Sequence, residues 1–254
     1  MDRETLDKTI AEKQAQVTAA TNPPESLSLS FGKDIRCERC GYGYRHTEDN
    51  GNQRKWCKRC IDVFHRREAL NPEKVERQIL DLVGFLYGDA KLDDLDEAVR
   101  EKLLNLKQGQ SVFFYGPPGT GKTYAMAAML RQKIYEGYSC EFVNFDDFCV
   151  RLRASYAPAS PETEYGIIEP LKTVDLLFVD DLGLRSKQES DFVYVTFYTI
   201  LEQRRRNCLP TFICSNKDVK RLGETFDARI TSRLQHAEKT LIIEMTGKDR
   251  RNSR

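Results

Sequence analysis

Residues 116–123 read Gly116-Pro117-Pro118-Gly119-Thr120-Gly121-Lys122-Thr123, and this octet constrains the chain more than any other feature. It follows an apolar run, Ser111–Tyr115, and opens a helical pattern, Thr123–Tyr135. That strand–loop–helix context makes it a P-loop. Glycines let backbone N–H groups wrap phosphates, and the helix N-terminus adds its partial positive charge. Lys122 is placed to bridge β- and γ-phosphates, and Thr123 to offer its hydroxyl to Mg²⁺. Tyr124 completes the expected nucleotide-binding segment.

Four further apolar runs follow the same rhythm: Cys140–Asn144, Leu176–Val179, Pro210–Ser215 and Thr240–Met245. Helical stretches lie between them, for example Phe192–Arg205. Near-continuous apolar strands separated by helices predict an α/β fold, with a parallel sheet covered on both faces. Ligands of such sheets bind at the loops on one strand-end edge. The run LLFVDDLG ends in Asp180 and Asp181. Asp180 is expected to hold Mg²⁺, through its waters. Asp181 sits where a water-polarising carboxylate is needed. Asn216, after the TFICS strand, can orient an attacking water. Arg229 and Arg233 are four apart, on one helical face. One of them can reach the ATP of a neighbouring subunit as an arginine finger.

The first third of the chain carries a different signal. Cys37-x2-Cys40 and Cys57-x2-Cys60 are separated by 16 residues. Two such pairs predict a closed four-thiolate zinc site of structural type. A redox dithiol would instead place one pair beside a helix in a thioredoxin-like unit. His46 and His65 are possible substitutes for one thiolate. Arg36, Arg39, Arg45, Arg54, Lys55, Lys58 and Arg59 surround the cysteines, interleaved with Tyr42, Tyr44 and Trp56. Phosphate contact with base stacking and protein docking are both open readings of that mix. Cys140, Cys149, Cys208 and Cys214 read as small core residues. Residues 1–20 read as a weakly amphipathic helix, residues 22–30 as a linker, and residues 61–86 as helical.

Forty basic residues offset 39 acidic ones, so whole-chain charge argues neither for nor against nucleic acid. No apolar run approaches the ~18 residues of a membrane span. The charged start, MDRETLDKTIAEKQ, is no signal peptide. A cytoplasmic protein with reduced cysteines and no membrane partner is expected.

Together, YGDAKLDDL, GPPGTGKT, LLFVDDLG, PTFICSN and RITSRL resemble the AAA+ ATPases. Within them they resemble the short group that holds the DnaC and DnaI helicase loaders and the IstB transposition helpers. The resemblance covers about residues 87–247. It implies a P-loop core with a five-stranded parallel sheet in the order 5-1-4-3-2 and no C-terminal lid, preceded by a small zinc-binding module. It implies an adenine pocket at Asp89, Ala90 and Leu92, a Walker B pair at Asp180 and Asp181, and a sensor at Asn216. It makes Arg233 the arginine finger, with Arg229 second. Most AAA+ proteins have Glu where this chain has Asp181. The expected domains are an N-terminal helix and linker (1–32), a zinc module (33–65), a linking helix (66–86) and the ATPase (87–254).

The implied activity is slow, oligomer-dependent ATP hydrolysis that loads a replicative helicase hexamer onto single-stranded DNA. Self-association would run through the ATP interface. Arg185, Lys187 and the run Arg204-Arg205-Arg206 are candidate DNA contacts, although a solvated helix end suits the run equally. An IstB-like helper of a DNA transposase is the alternative. A non-hydrolysing, ATP-switched adaptor is a second alternative.

Overall fold

A computed structural model describes residues 34–37, 43–45, 57–183, 191–225, 231–232, 234, 239–247 and 249. At their start, β1 (Asp34–Arg36) and β2 (Gly43–Arg45) form a small sheet of their own. The chain divides into two compact units, residues 1–35 with 45–53, and residues 36–44 with 54–254. Nearly all described residues belong to the second unit.

From residue 58 that unit holds two helices where one was expected over 61–86. They are α1 (Lys58–Glu68) and α2 (Pro72–Tyr87). Pro72 explains the break, since it lacks an N–H and holds the preceding residue extended. Asn71 is extended accordingly, and its side chain caps α2 by accepting the Lys74 N–H at 3.2 Å. Val75, Ile79 and Val83 recur at helical spacing and are buried. Arg131, from a helix described below, donates to Glu76 on the neighbouring turn and to the Gly88 carbonyl. Thus α2 shares a core with the elements that follow it.

Five strands then form one all-parallel sheet: β3 (Ser111–Tyr115), β4 (Cys140–Asn144), β5 (Leu176–Asp180), β6 (Thr211–Ser215) and β7 (Thr240–Glu244). Their order across the sheet is β4-β5-β6-β3-β7. Counted from β3, that is the expected 5-1-4-3-2 arrangement. The strand ends differ from expectation by one residue at β5, β6 and β7, within the usual fraying of such boundaries.

Side chains alternate across this sheet. Val112, Phe114, Phe178, Phe212, Cys214 and Ile243 face one core, with α2, α3 (Glu97–Leu104) and α4 (Lys122–Tyr135). Phe113, Leu177, Val179 and Ile213 face the other, with α5 (Phe145–Ala154), α6 (Glu164–Thr173) and α7 (Asp191–Arg206). A last short helix, α8 (Val219–Thr225), adds Leu222 to this second core. Register sets the ends level: Asn144 lies beside Asp180, and Tyr115 beside Ser215. The loops after β3, β5 and β6 therefore emerge on one edge, where ligands of such sheets bind.

Arg204, on α7, corrects the sequence reading. It is fully buried and cannot reach DNA. Its five N–H donors meet Thr211 Oγ1 and the carbonyls of Leu171, Val174, Asp175 and Pro210. Burial pulls its pKa down to about 9, with Arg59 adding to the shift, which still leaves it charged at neutral pH. Arg205 and Arg206 pair instead with Glu202 at the solvent side.

Candidate functional site

The octet of residues 116–123 forms the loop between β3 and α4. Gly116 has φ 150, and a Cβ there would strike the Met245 carbonyl. Only glycine lets the segment after β7 pass that close. The same segment brings the Asp249 carboxylate against Gly119. Lys122 is buried at the helix start, and its ammonium donates to the carbonyls of Gly116 at 2.9 Å and Pro117 at 2.8 Å. Thr120 ties the loop by donating to the Pro117 carbonyl at 2.9 Å.

Thr123 faces β5. Its hydroxyl lies 3.1 and 3.2 Å from the two carboxylate oxygens of Asp180. Asp180 is buried at the end of its strand. Asp181 follows in a left-handed conformation, φ 56, which a non-glycine residue keeps only when its surroundings hold it there. Asp180, Asp181 and Cys214 bring ligand atoms within 4.8 Å of one another. Hard carboxylate oxygens beside a P-loop hydroxyl suit a divalent cation such as Mg²⁺. Asn216 lies half-buried just past β6, at the same edge.

The segment expected to line an adenine pocket comes to this edge as well. Ala90 is buried, and its N–H donates to the Tyr87 carbonyl at 3.1 Å. Leu92 starts a single 3-10 turn, Leu92–Asp94, and packs on the first core. Tyr124 donates its hydroxyl to Asp94 at 2.6 Å, which ties the segment to the first turn of α4. Asp89 is exposed.

Two features were missed from the sequence. Cys214 is a buried core residue, as expected, and its thiol also donates to Asp180 Oδ1 at 2.5 Å. Burial, with Asp180 alongside, pushes that thiol well above the ordinary range. Only the cross-strand register, not the local sequence, brings the two residues together. Asp249, in the run after β7, carried no motif at all. Among the other cysteines read as core, Cys140 and Cys149 are buried, whereas Cys208 is exposed with φ 51. Arg229, Arg233, Arg185 and Lys187 lie outside the described residues.

A second cluster gathers at the start of α1. Cys37, Cys57 and Cys60 are buried, with ligand atoms within 4.8 Å of one another. The Cys37 and Cys60 sulfurs are 3.7 Å apart. Thiolates ~2.3 Å from a tetrahedral zinc are separated by about 3.8 Å, so the spacing suits that ion. The Cys57 N–H donates to the Cys37 sulfur at 3.2 Å. Cys40, the fourth expected ligand, lies outside the described residues, as do His46, Tyr42 and Trp56. His65 is exposed and does not join the cluster.

Helix α1 is docked on the far edge of the sheet. Arg66 pairs with Asp175 and donates to the Gly137 carbonyl at 2.8 Å. Asp175 also accepts from the Ser139 amide and hydroxyl, directly ahead of β5. Arg59 donates to the Cys208 carbonyl at 3.1 Å.

Among known proteins, residues 91–252 match the family described as IstB-like ATP binding protein. The replicative helicase loader DnaC of Buchnera aphidicola subsp. Acyrthosiphon pisum is 29% identical over 125 residues, covering 49% of this chain and 50% of that protein. The replicative helicase loader DnaI of Bacillus subtilis is 26% identical over 167 residues, covering 63% and 52%. The chain thus spans about half the length of these curated relatives. A crystal structure of DnaI has the same fold, with a TM-score of 0.52 at 24% identity over 73% of this chain and 99% of that one.

Proposed function

Because the chain belongs to the family of IstB-like ATP binding proteins, within the AAA+ group of DnaC and DnaI, we propose that it is an ATP-hydrolysing loader of a replicative DNA helicase. The observation that carries the reading is the meeting of three strand ends: the P-loop after β3, Asp180 and Asp181 at the end of β5, and Asn216 after β6. The names of the curated relatives supply the helicase.

Backbone N–H groups of Gly119, Thr120 and Gly121 cradle the phosphates, and the Lys122 ammonium moves from its loop carbonyls to the β- and γ-phosphates. Asp89, Ala90 and Leu92 flank the base, with Tyr124 holding their segment in place. Bound Mg²⁺ would neutralise phosphate charge, held by Thr123 and Asp180. Asp181 takes up the developing proton charge of the attacking water, and Asn216 orients that water. Arg233, with Arg229 as second choice, completes the site from a neighbouring copy, so hydrolysis is slow and depends on self-association. The shorter Asp181 in place of Glu adds to the slowness.

The residues ahead of the ATPase serve as the docking module. Cys37, Cys40, Cys57 and Cys60 would hold a zinc ion there, whose role would be purely structural. The domain plan is 1–32, 33–65, 66–86 and 87–254, with the linking segment broken at Pro72 and packed on the ATPase. The module grips the helicase hexamer while ATP-bound copies hold single-stranded DNA, and hydrolysis releases the loader. The setting is the bacterial cytoplasm, or a host's if the protein is phage-encoded; no described helix is long and apolar enough to cross a membrane.

The family match itself favours a second reading, an IstB-like helper of a DNA transposase. Loading assays on circular single-stranded DNA separate the two. A loader raises the amount of replicative helicase bound to the circle when ATP is present. A helper leaves it unchanged and assembles on duplex DNA instead.

A further inference from the structure

The turn that carries the two carboxylates is held from one neighbouring strand. Cys214, fully buried on β6, donates its thiol to Asp180 Oδ1 at 2.5 Å. Its sulfur accepts the Asp181 N–H at 3.5 Å. Its carbonyl accepts the Leu182 N–H at 2.9 Å, and the Ser215 hydroxyl donates to the Leu182 carbonyl at 2.7 Å. Cys214 alone therefore touches three consecutive residues, the middle one in the left-handed region.

Asp180 has two side-chain partners among the described residues, Cys214 and the Thr123 hydroxyl. Thr123 is the group that the P-loop commits to the cation. Once its oxygen is so engaged, the thiol remains to hold the Asp180 carboxylate in one orientation. We infer that Cys214 is a positioning residue of the site: its thiol orients Asp180, and its sulfur steadies the turn that presents Asp181. The inference rests on the ATPase reading given above.

The test contrasts two replacements of similar shape. Cys214→Val fills the space and removes both the donor and the acceptor. Cys214→Thr restores a hydroxyl on the same branched frame. Half-saturating Mg²⁺ is measured for ATP hydrolysis and for binding of a fluorescent ATP analogue. Cys214→Val raises it about tenfold and lowers kcat with little change in KM for ATP, the scale of one hydrogen bond lost to a charged group. Cys214→Thr returns both to within about threefold of the parent, since a hydroxyl can replace the thiol as donor. A Val variant with the parent's Mg²⁺ dependence overturns the inference. So does a Thr variant as impaired as the Val variant, because packing alone would then explain both. If branched residues unfold the sheet, Cys214→Ser against Cys214→Ala gives the same contrast. Parent protein that binds the analogue without hydrolysing ATP refutes the ATPase reading alone, and the Mg²⁺ dependence of binding then decides the role of Cys214. Parent protein that binds no nucleotide refutes both.

Discussion

Replacing Arg204 by lysine separates a structural cation from a DNA-contacting one. A phosphate contact needs only positive charge, which lysine keeps. The buried fork needs planar geometry: five N–H donors serve four carbonyls and one hydroxyl contributed by α6, the residues just after it, and the start of β6. A lysine ammonium has three donors at one point, so two or more acceptors are left without a partner. At ~1–3 kcal/mol for each unsatisfied buried group, and allowing for non-additivity, Arg204→Lys costs about 3 kcal/mol. Urea unfolding followed by far-UV circular dichroism reads this directly. With a slope of about 2–3 kcal/mol per molar urea, the midpoint falls by roughly 1–1.5 M. Affinity for single-stranded DNA at fixed salt, measured by fluorescence anisotropy on the folded variant, stays within about twofold, since the residue never reaches solvent. A variant as stable as the parent, or a stable one that has lost DNA affinity, refutes the argument.

Three further outcomes follow from the site. Lys122→Ala removes the ammonium inside the P-loop, so ATP-dependent self-association is lost in size-exclusion chromatography, while the zinc content per chain measured by mass spectrometry is unchanged. Asp181→Asn keeps nucleotide binding but lowers kcat by at least ~100-fold, the scale of a lost general base, in a steady-state phosphate-release assay. Cys57→Ala, or treatment with a strong chelator, abolishes zinc binding and helicase capture, yet leaves ATP-analogue binding within about twofold of the parent, because the thiolate cluster and the P-loop lie on opposite edges of the sheet.

The α/β architecture was legible because the strands are nearly continuous apolar runs, and those of β3, β5 and β6 end where chemistry-bearing residues begin. The P-loop, Asp180 and Asn216 could be placed on one edge for that reason alone. Other features depend on what lies across the sheet. Arg204 stands in a run of three arginines at a helix end, and nothing local says that one of them turns inward to Leu171, Val174 and Pro210. Nothing local tells what Cys214 does within its strand, since its partner Asp180 is 34 residues away and meets it only through strand pairing. The break between α1 and α2 is local instead: Asn71-Pro72 marks it in the sequence, although residues 61–86 read as one helical stretch.

The most direct measurement of the central claim is native mass spectrometry of the zinc-loaded protein mixed with the replicative helicase of its own host, with and without Mg-ATP. The account predicts a discrete complex of the helicase hexamer with several copies of the chain, lost when Cys57 is replaced by alanine. ATP-driven self-assembly with no helicase bound would contradict it and move the reading to the transposase helper.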